Sequence, residues 1–300
     1  MKSINILTVA ISMLIALTLT AQDQEPDSEG SVIQTLTPSK LIGKGQYDIK
    51  FFNNLYTQTR STFSSGREDR QTFFTSTIEA YTGVGSNKRW NVGVILEARS
   101  NVVADRNALD VFSFDGEFGT ARSGLTSIAP SIKYVPFSGI SNFSIQSSFF
   151  IPLVDNESED FAPINGNQGV FLDQNGFIWQ NRLFYDYTFD GNKWQIFGEL
   201  NTEYSFGDDE KSFANDSLNL TPGVFLSYFP SSKFTVLALA QHSQRIDLGN
   251  NFPQDFTAVG GGAKYQLTKQ LNIEALYTNF IRGNNTGFGE TFNIGLRFVN

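Results

Sequence analysis

The chain has no cysteine and a single histidine, His242. The lack of thiols excludes disulfides, Cys-ligated zinc, thiol redox chemistry and lipid anchoring through an N-terminal cysteine. One histidine excludes a multi-histidine metal site. Positive charge is scarce: 22 Lys and Arg stand against 30 Asp and Glu, a formal net charge of -8. There is no basic field to attract phosphates, so nucleic acid is not expected as a partner. Long apolar runs are missing beyond the first turns of the chain. After Leu19 nothing approaches the roughly 20 apolar residues that a membrane-spanning helix needs. From Gly45 onward no helical period of useful length appears either. If the mature protein spans a membrane, it must do so as a barrel.

What is present begins with an export signal. Lys2, the apolar stretch Ile4 to Leu19 and the small Ala21 in "TAQDQ" predict a secretory signal peptide over 1–21, with a transmembrane anchor as the alternative. Residues 22–44 differ from the rest. "QDQEPDSEGS" is polar, and "VIQTLTPSKLIGKG" is mildly apolar. A periplasmic lead-in is expected here, with a small plug entering the barrel as the alternative. Residues 45–300 form the third region.

The dominant period in that region is two. Trp90, Val92, Val94, Leu96 and Ala98 alternate with Asn91, Gly93, Ile95, Glu97 and Arg99. Trp194 to Ser205 and Leu271 to Thr278 repeat the pattern, each with one apolar and one mostly polar face. Twelve strands are expected near 45–57, 71–84, 89–101, 124–136, 142–153, 177–189, 193–206, 218–229, 233–245, 256–267, 271–282 and 288–299. Most exceed the ~5–6 residues of a soluble strand and suit a tilted membrane crossing of ~9–11 residues. The connections alternate between tight turns ("GSNK", "SGI", "GNK", "PSS", "TKQ") and longer loops. That asymmetry is the pattern of bacterial outer-membrane barrels, and an even strand count puts both termini on the short-turn side. The fold class expected is all-β, a transmembrane antiparallel up-and-down barrel in the cell outer membrane.

A secreted β-sandwich would alternate too, but it would not sort its rings to one end. Tyr47, Trp90, Phe143, Trp194 and Phe234 open strands on the short-turn side; Tyr134, Tyr187, Tyr228, Tyr265 and Phe298 close strands returning to it. Membrane interfaces favour such girdles. Phe74, Phe149, Trp179, Tyr204 and Phe288 make a looser set at the other end. Pro130, Pro152 and Pro222 fall in or near strands and predict bulges, or strand boundaries displaced by a few residues, since proline gives no donor to the ladder.

The polar face predicts a lumen lined by Asp48, Lys50, Glu79, Glu97, Arg99, Lys133, Arg182, Asp186, Glu199, Glu203, Lys264, Glu274 and Arg297. Opposite charges fall on neighbouring strands, as charges withdrawn from water require. A charged wall serves a selective solute path; a salt-bridged interior that only stabilises a narrow barrel is the equal alternative. Inward Phe52, Phe73, Tyr81, Phe150, Phe184, Phe197 and Phe225 narrow the space.

No catalytic residue, cofactor or metal is expected, and the protein reads as a non-enzyme. His242 and Ser243 are adjacent, so a strand puts them on opposite faces, where a nucleophile and its base cannot meet. The acidic stretches "DNESEDFAPINGNQGVFLDQNG" and "GDDEKSFANDS" match no calcium-loop spacing and read as solvated loops. "GGG" at 260–262 precedes no helix and no Lys-Ser/Thr pair, which excludes a phosphate loop.

The pattern from leader to last strand resembles outer-membrane β-barrel proteins of Gram-negative bacteria. "TAQDQ" and "GKGQYDIKFFNNLYTQT" resemble barrels of the Bacteroidota, and the chain is similar to the transporter family named for the meta-pathway of phenol degradation. The resemblance covers about residues 44–300. It implies a barrel inserted by the outer-membrane assembly machinery, in contact with outer-membrane lipids, that passes small solutes. The ending "TFNIGLRFVN" resembles the sorting signal of such barrels, with Asn300 where a terminal aromatic is usual. The functional expectation is a narrow passive channel. A non-conducting structural or surface-binding barrel is the alternative, and a membrane-embedded lipid hydrolase a remoter one.

Overall fold

The computed structural model describes residues 39–114, 119–154, 172, 176–207, 214–249 and 252–300. The expected signal segment, residues 22–38 and most of the two acidic stretches lie outside the described residues. Twelve antiparallel strands form a closed barrel: β1 (Tyr47–Ser61), β2 (Gln71–Val84), β3 (Trp90–Val102), β4 (Ala121–Tyr134), β5 (Phe143–Pro152), β6 (Phe177–Thr188), β7 (Trp194–Phe206), β8 (Ser217–Tyr228), β9 (Phe234–Asp247), β10 (Gln254–Gln266), β11 (Leu271–Asn284) and β12 (Gly287–Val299). Each pairs with its chain neighbours, and β12 returns to β1 with Lys50 opposite Arg297 and Phe52 opposite Gly295. The seam runs to its end: Asn300 N–H donates to the Tyr47 carbonyl at 3.0 Å. Closure pairs the edge groups that lipid could not satisfy.

Alternation decides the faces. On β3, Trp90, Val92 and Val94 are exposed on the outer wall, while Asn91 and Ile95 are buried inside. On β12, Phe292 and Ile294 lie on the outside and Thr291 and Asn293 within. β9, apolar on both faces in its first half, sends Val236 outward and buries Leu237 and Leu239. At the short-turn end rings pair across strands on the outer wall, Trp90 with Tyr134 at 5.2 Å and Trp194 with Tyr228 at 4.6 Å between centroids. At the other end the rings of Phe149, Phe177 and Phe206 lie within 6 Å of one another.

Three local features depart from expectation. Pro130 and Pro222 produce no bulge; each leaves a gap in one ladder instead. Pairing of β4 with β5 stops at Ile128–Ile151 and resumes in the same register at Ser131–Ser148. Pairing of β8 with β9 skips likewise from Leu220–Gln244 to Gly223–Gln241. Losing a rung costs less than a shift in register, which would turn every later side chain to the wrong face. A bulge does occur on β4, where the β3 register slips between Glu97 and Ala98 and the extra residue, Thr126, donates its hydroxyl to the Glu97 carbonyl at 3.1 Å. Finally, Phe74 is not a lipid-facing girdle ring. A 3-10 turn at Ala108–Phe112 lies over it, with Phe112 edge-on at 4.9 Å and Val111 fully buried beside Val102 and Ala121.

Candidate functional site

The alternation of β1, β2, β4, β6 and β7 brings one ionic cluster to the barrel's waist. Glu79 of β2 stands among three cations: Lys50 Nζ at 3.3 Å, Lys133 Nζ at 3.9 Å and Arg182 Nη1 at 3.5 Å. Lys50 arrives because it is the direct cross-strand partner of Glu79. Arg182, four strands away, crosses the interior and also donates from Nε to Glu199 at 2.7 Å. The Lys133 ammonium lies 3.9 Å over the ring of Tyr81, whose hydroxyl joins Ser131 at 2.7 Å; Ser131 in turn joins Ser148 at 2.6 Å. Charges withdrawn from water need such full pairing, since an orphaned one is costly.

The other charges singled out from sequence are distributed around this cluster. Arg297 holds Asp48 with two parallel bonds, Nε at 2.9 Å and Nη2 at 2.8 Å, across the β1–β12 seam. Lys264 meets Glu274 at 3.0 Å. Glu97 and Arg99, two apart on β3, meet at 2.8 Å, and Arg99 Nη1 also donates to the carbonyl of Leu172, a buried residue of the loop after β5. Glu203 accepts from the amides of Gln180 and Asn201, both at 2.9 Å. Asp186 lies apart, near the short-turn end of β6, and takes its partners from Ser39 and Lys40 ahead of the barrel. Sequence reasoning had not placed these two residues, because Ser39 and Lys40 in "TPSKLIGKG" belong to no period that points inward.

A cavity of about 390 Å³ occupies the waist. Its lining mixes charged side chains, among them Lys50, Glu79, Arg182 and Glu199, with the apolar Phe197, Phe225 and Leu237. Gly295 lets Glu274 and Phe52 pack close against the wall: a Cβ there would stand 2.8 Å from Glu274 Cγ and 3.0 Å from the Phe52 ring. A larger groove of about 730 Å³ lies on the outer wall beside Pro130, Phe149, Trp179 and Tyr204. It opens toward lipid, so acyl chains rather than a transported solute would fill it. Among the described residues no group of His, Asp and Glu side chains is arranged to hold a metal ion. His242 Nδ1 lies 3.0 Å from Thr257 Oγ1, whereas Ser243 Oγ accepts from Thr221 on another strand at 3.1 Å.

No family model and no curated protein sequence matches the chain. Solved structures do. An outer-membrane channel from Pseudomonas putida F1 superposes with a TM-score of 0.65 at 10% identity, over 88% of this chain and 99% of that one. The beta domain of the Bordetella autotransporter BrkA superposes with a TM-score of 0.54 at 14% identity, over 84% of this chain and 98% of that one. At these identities the likeness is one of fold: the chain is a transmembrane antiparallel β-barrel of the outer-membrane kind.

Proposed function

We propose that the protein is an outer-membrane barrel that acts as a narrow passive channel for small solutes. The observation that carries this reading is the waist: a cavity inside a closed barrel, lined by charged side chains and phenyl rings interleaved around the wall. An interior built only for stability is better served by apolar packing, because buried ion pairs contribute little net stability. The fold likeness to an outer-membrane channel supports the same reading. In this orientation the short turns face the periplasm, residues 1–21 direct export, and residues 22–44 precede the barrel on that side. Lipids of the outer membrane surround the wall, and the outer-membrane assembly machinery inserts it. Origin in the Bacteroidota and kinship with the phenol meta-pathway transporters belong to the same proposal. Asp48, Lys50, Glu79, Glu97, Arg99, Lys133, Arg182, Asp186, Glu199, Glu203, Lys264, Glu274 and Arg297 form the charged wall. Lipid hydrolysis finds no support, since His242 bonds to a threonine and Ser243 to another.

Planar-bilayer recording of the folded protein tests the channel. Discrete conductance steps are expected; their absence from correctly folded protein overturns it in favour of a structural or surface-binding barrel. Reversal potentials then test the wall. Glu97→Gln should move ion selectivity toward anions, and an unchanged potential removes Glu97 from the path.

A further inference from the structure

Residues 39–44 do not hang from the barrel. From Tyr47 at the start of β1 the chain turns at Gly45, whose φ of +82° suits glycine, and the turn is held by Gln46 N–H donating to the Gly43 carbonyl at 3.1 Å. It then meets β3. The side chain of Asn91 receives the Ile42 N–H at 3.1 Å and donates to the Ile42 carbonyl at 2.9 Å, pairing both backbone groups as a neighbouring strand would. Finally it reaches β6, where the fully buried Ser39 hydroxyl donates to Asp186 and Lys40 Nζ stands 3.9 Å from the same carboxylate.

β1 and β6 lie five strands apart in a ring of twelve, nearly opposite. Twelve strands spaced about 4.8 Å and tilted about 40° imply a backbone diameter of roughly 24 Å. The stretch from Tyr47 back to Ser39 turns at Gly43–Gln46 and still touches both Asn91 of β3 and Asp186 of β6, so it lies across the mouth. The wall is shaped to receive it. Gly83, which faces inward on β2 and is the cross-strand partner of Asn91, has the backbone of Ile42 and Gly43 where a side chain would be; a Cβ would stand 2.7 Å from the Ile42 carbonyl oxygen.

We propose that residues 39–44 are a latch that closes the short-turn mouth, seated on Gly83, Asn91 and Asp186. The proposal rests on the channel reading for its consequence, and on contacts alone for its geometry. Released from these three residues, the segment leaves the mouth and the path from the waist cavity opens.

The absence of native cysteine makes the test clean. In Ile42→Cys, the thiol should react slowly with a membrane-impermeant maleimide supplied from the short-turn side. Adding Gly83→Val, which suits a strand but collides with the latch, should speed labelling by about tenfold or more, the factor expected on removing a buried bond. Asn91→Ala with Asp186→Ala should do the same. Heat-modifiable migration in gels confirms that each variant is folded. In bilayers both released forms should pass more current than the unaltered chain. Unchanged labelling in the folded released forms overturns the latch. Accelerated labelling with silent bilayers throughout supports the seat and overturns the channel reading. Accelerated labelling with currents equal to those of the unaltered chain shows a mouth that the segment does not close, and overturns the latch as a gate.

Discussion

Replacing Glu79 by Gln removes one negative charge from among three positive ones and keeps the shape of the side chain. Lys50, Lys133 and Arg182 all lie within 4 Å of its oxygens, and all four side chains are less than a third exposed. At an effective dielectric near 20 each contact is worth about 4 kcal/mol before desolvation. Much of that gross attraction offsets the cost of withdrawing four charges from water. Arg182 keeps Glu199, but Lys50 and Lys133 are left facing each other's field without a carboxylate between them. Breaking a buried ion pair from one side costs about 3–5 kcal/mol, and the expected loss for Glu79→Gln lies in that range. Urea unfolding in lipid vesicles, followed by the emission of Trp90, Trp179 and Trp194, measures it. The second variant gives the argument its edge. Lys133→Met added to Glu79→Gln removes a stranded ammonium and should recover about 1–3 kcal/mol. A loss under about 1 kcal/mol in the single variant, or a double variant no more stable than the single, would refute the reasoning.

Gly295→Leu forces a side chain against Glu274 and Phe52, and should cost about 1–3 kcal/mol by overpacking while reducing any conductance. Arg99→Gln removes the cation beside Glu97 and the donor to the Leu172 carbonyl together, so the reversal potential should shift toward cations. Val111→Asp places a charge in the contact between the 3-10 turn and Phe74; limited proteolysis should then cut near residues 105–113 while the barrel keeps its unfolding midpoint.

Period two carried most of the architecture. A strand with one face in lipid and one in a wet interior cannot hide its alternation, and the boundaries expected from it fall within a few residues of those observed. Charge pairs between adjacent strands were legible for the same reason: Lys264 and Glu274 are direct partners once the hairpin is set. Contacts across the interior were not. That Arg182 reaches Glu79 depends on the stagger of the closed ring, which no local pattern encodes. The ladder gaps at Pro130 and Pro222 were misjudged because two local remedies compete, a lost rung and a shifted register, and the cost of the second is set by distant neighbours. Ser39 and Ile42 were illegible because single residues in an irregular stretch have no phase. Gly83 did carry a signal, a small residue facing inward beside Asn91, but nothing in the sequence says what lies against it.

The seam between β1 and β12 sets an order on assembly. Every other pairing joins neighbours through a turn or loop, whereas this one joins Asp48 to Val299. Closing a loop of about 250 residues rather than about ten costs roughly 3 kcal/mol more in chain entropy. The register that places Arg297 on Asp48 therefore carries the largest closure cost of the twelve pairings. An intermediate of this protein would be an open sheet with β1 and β12 as its two free edges, and whatever inserts it must shelter both until they meet.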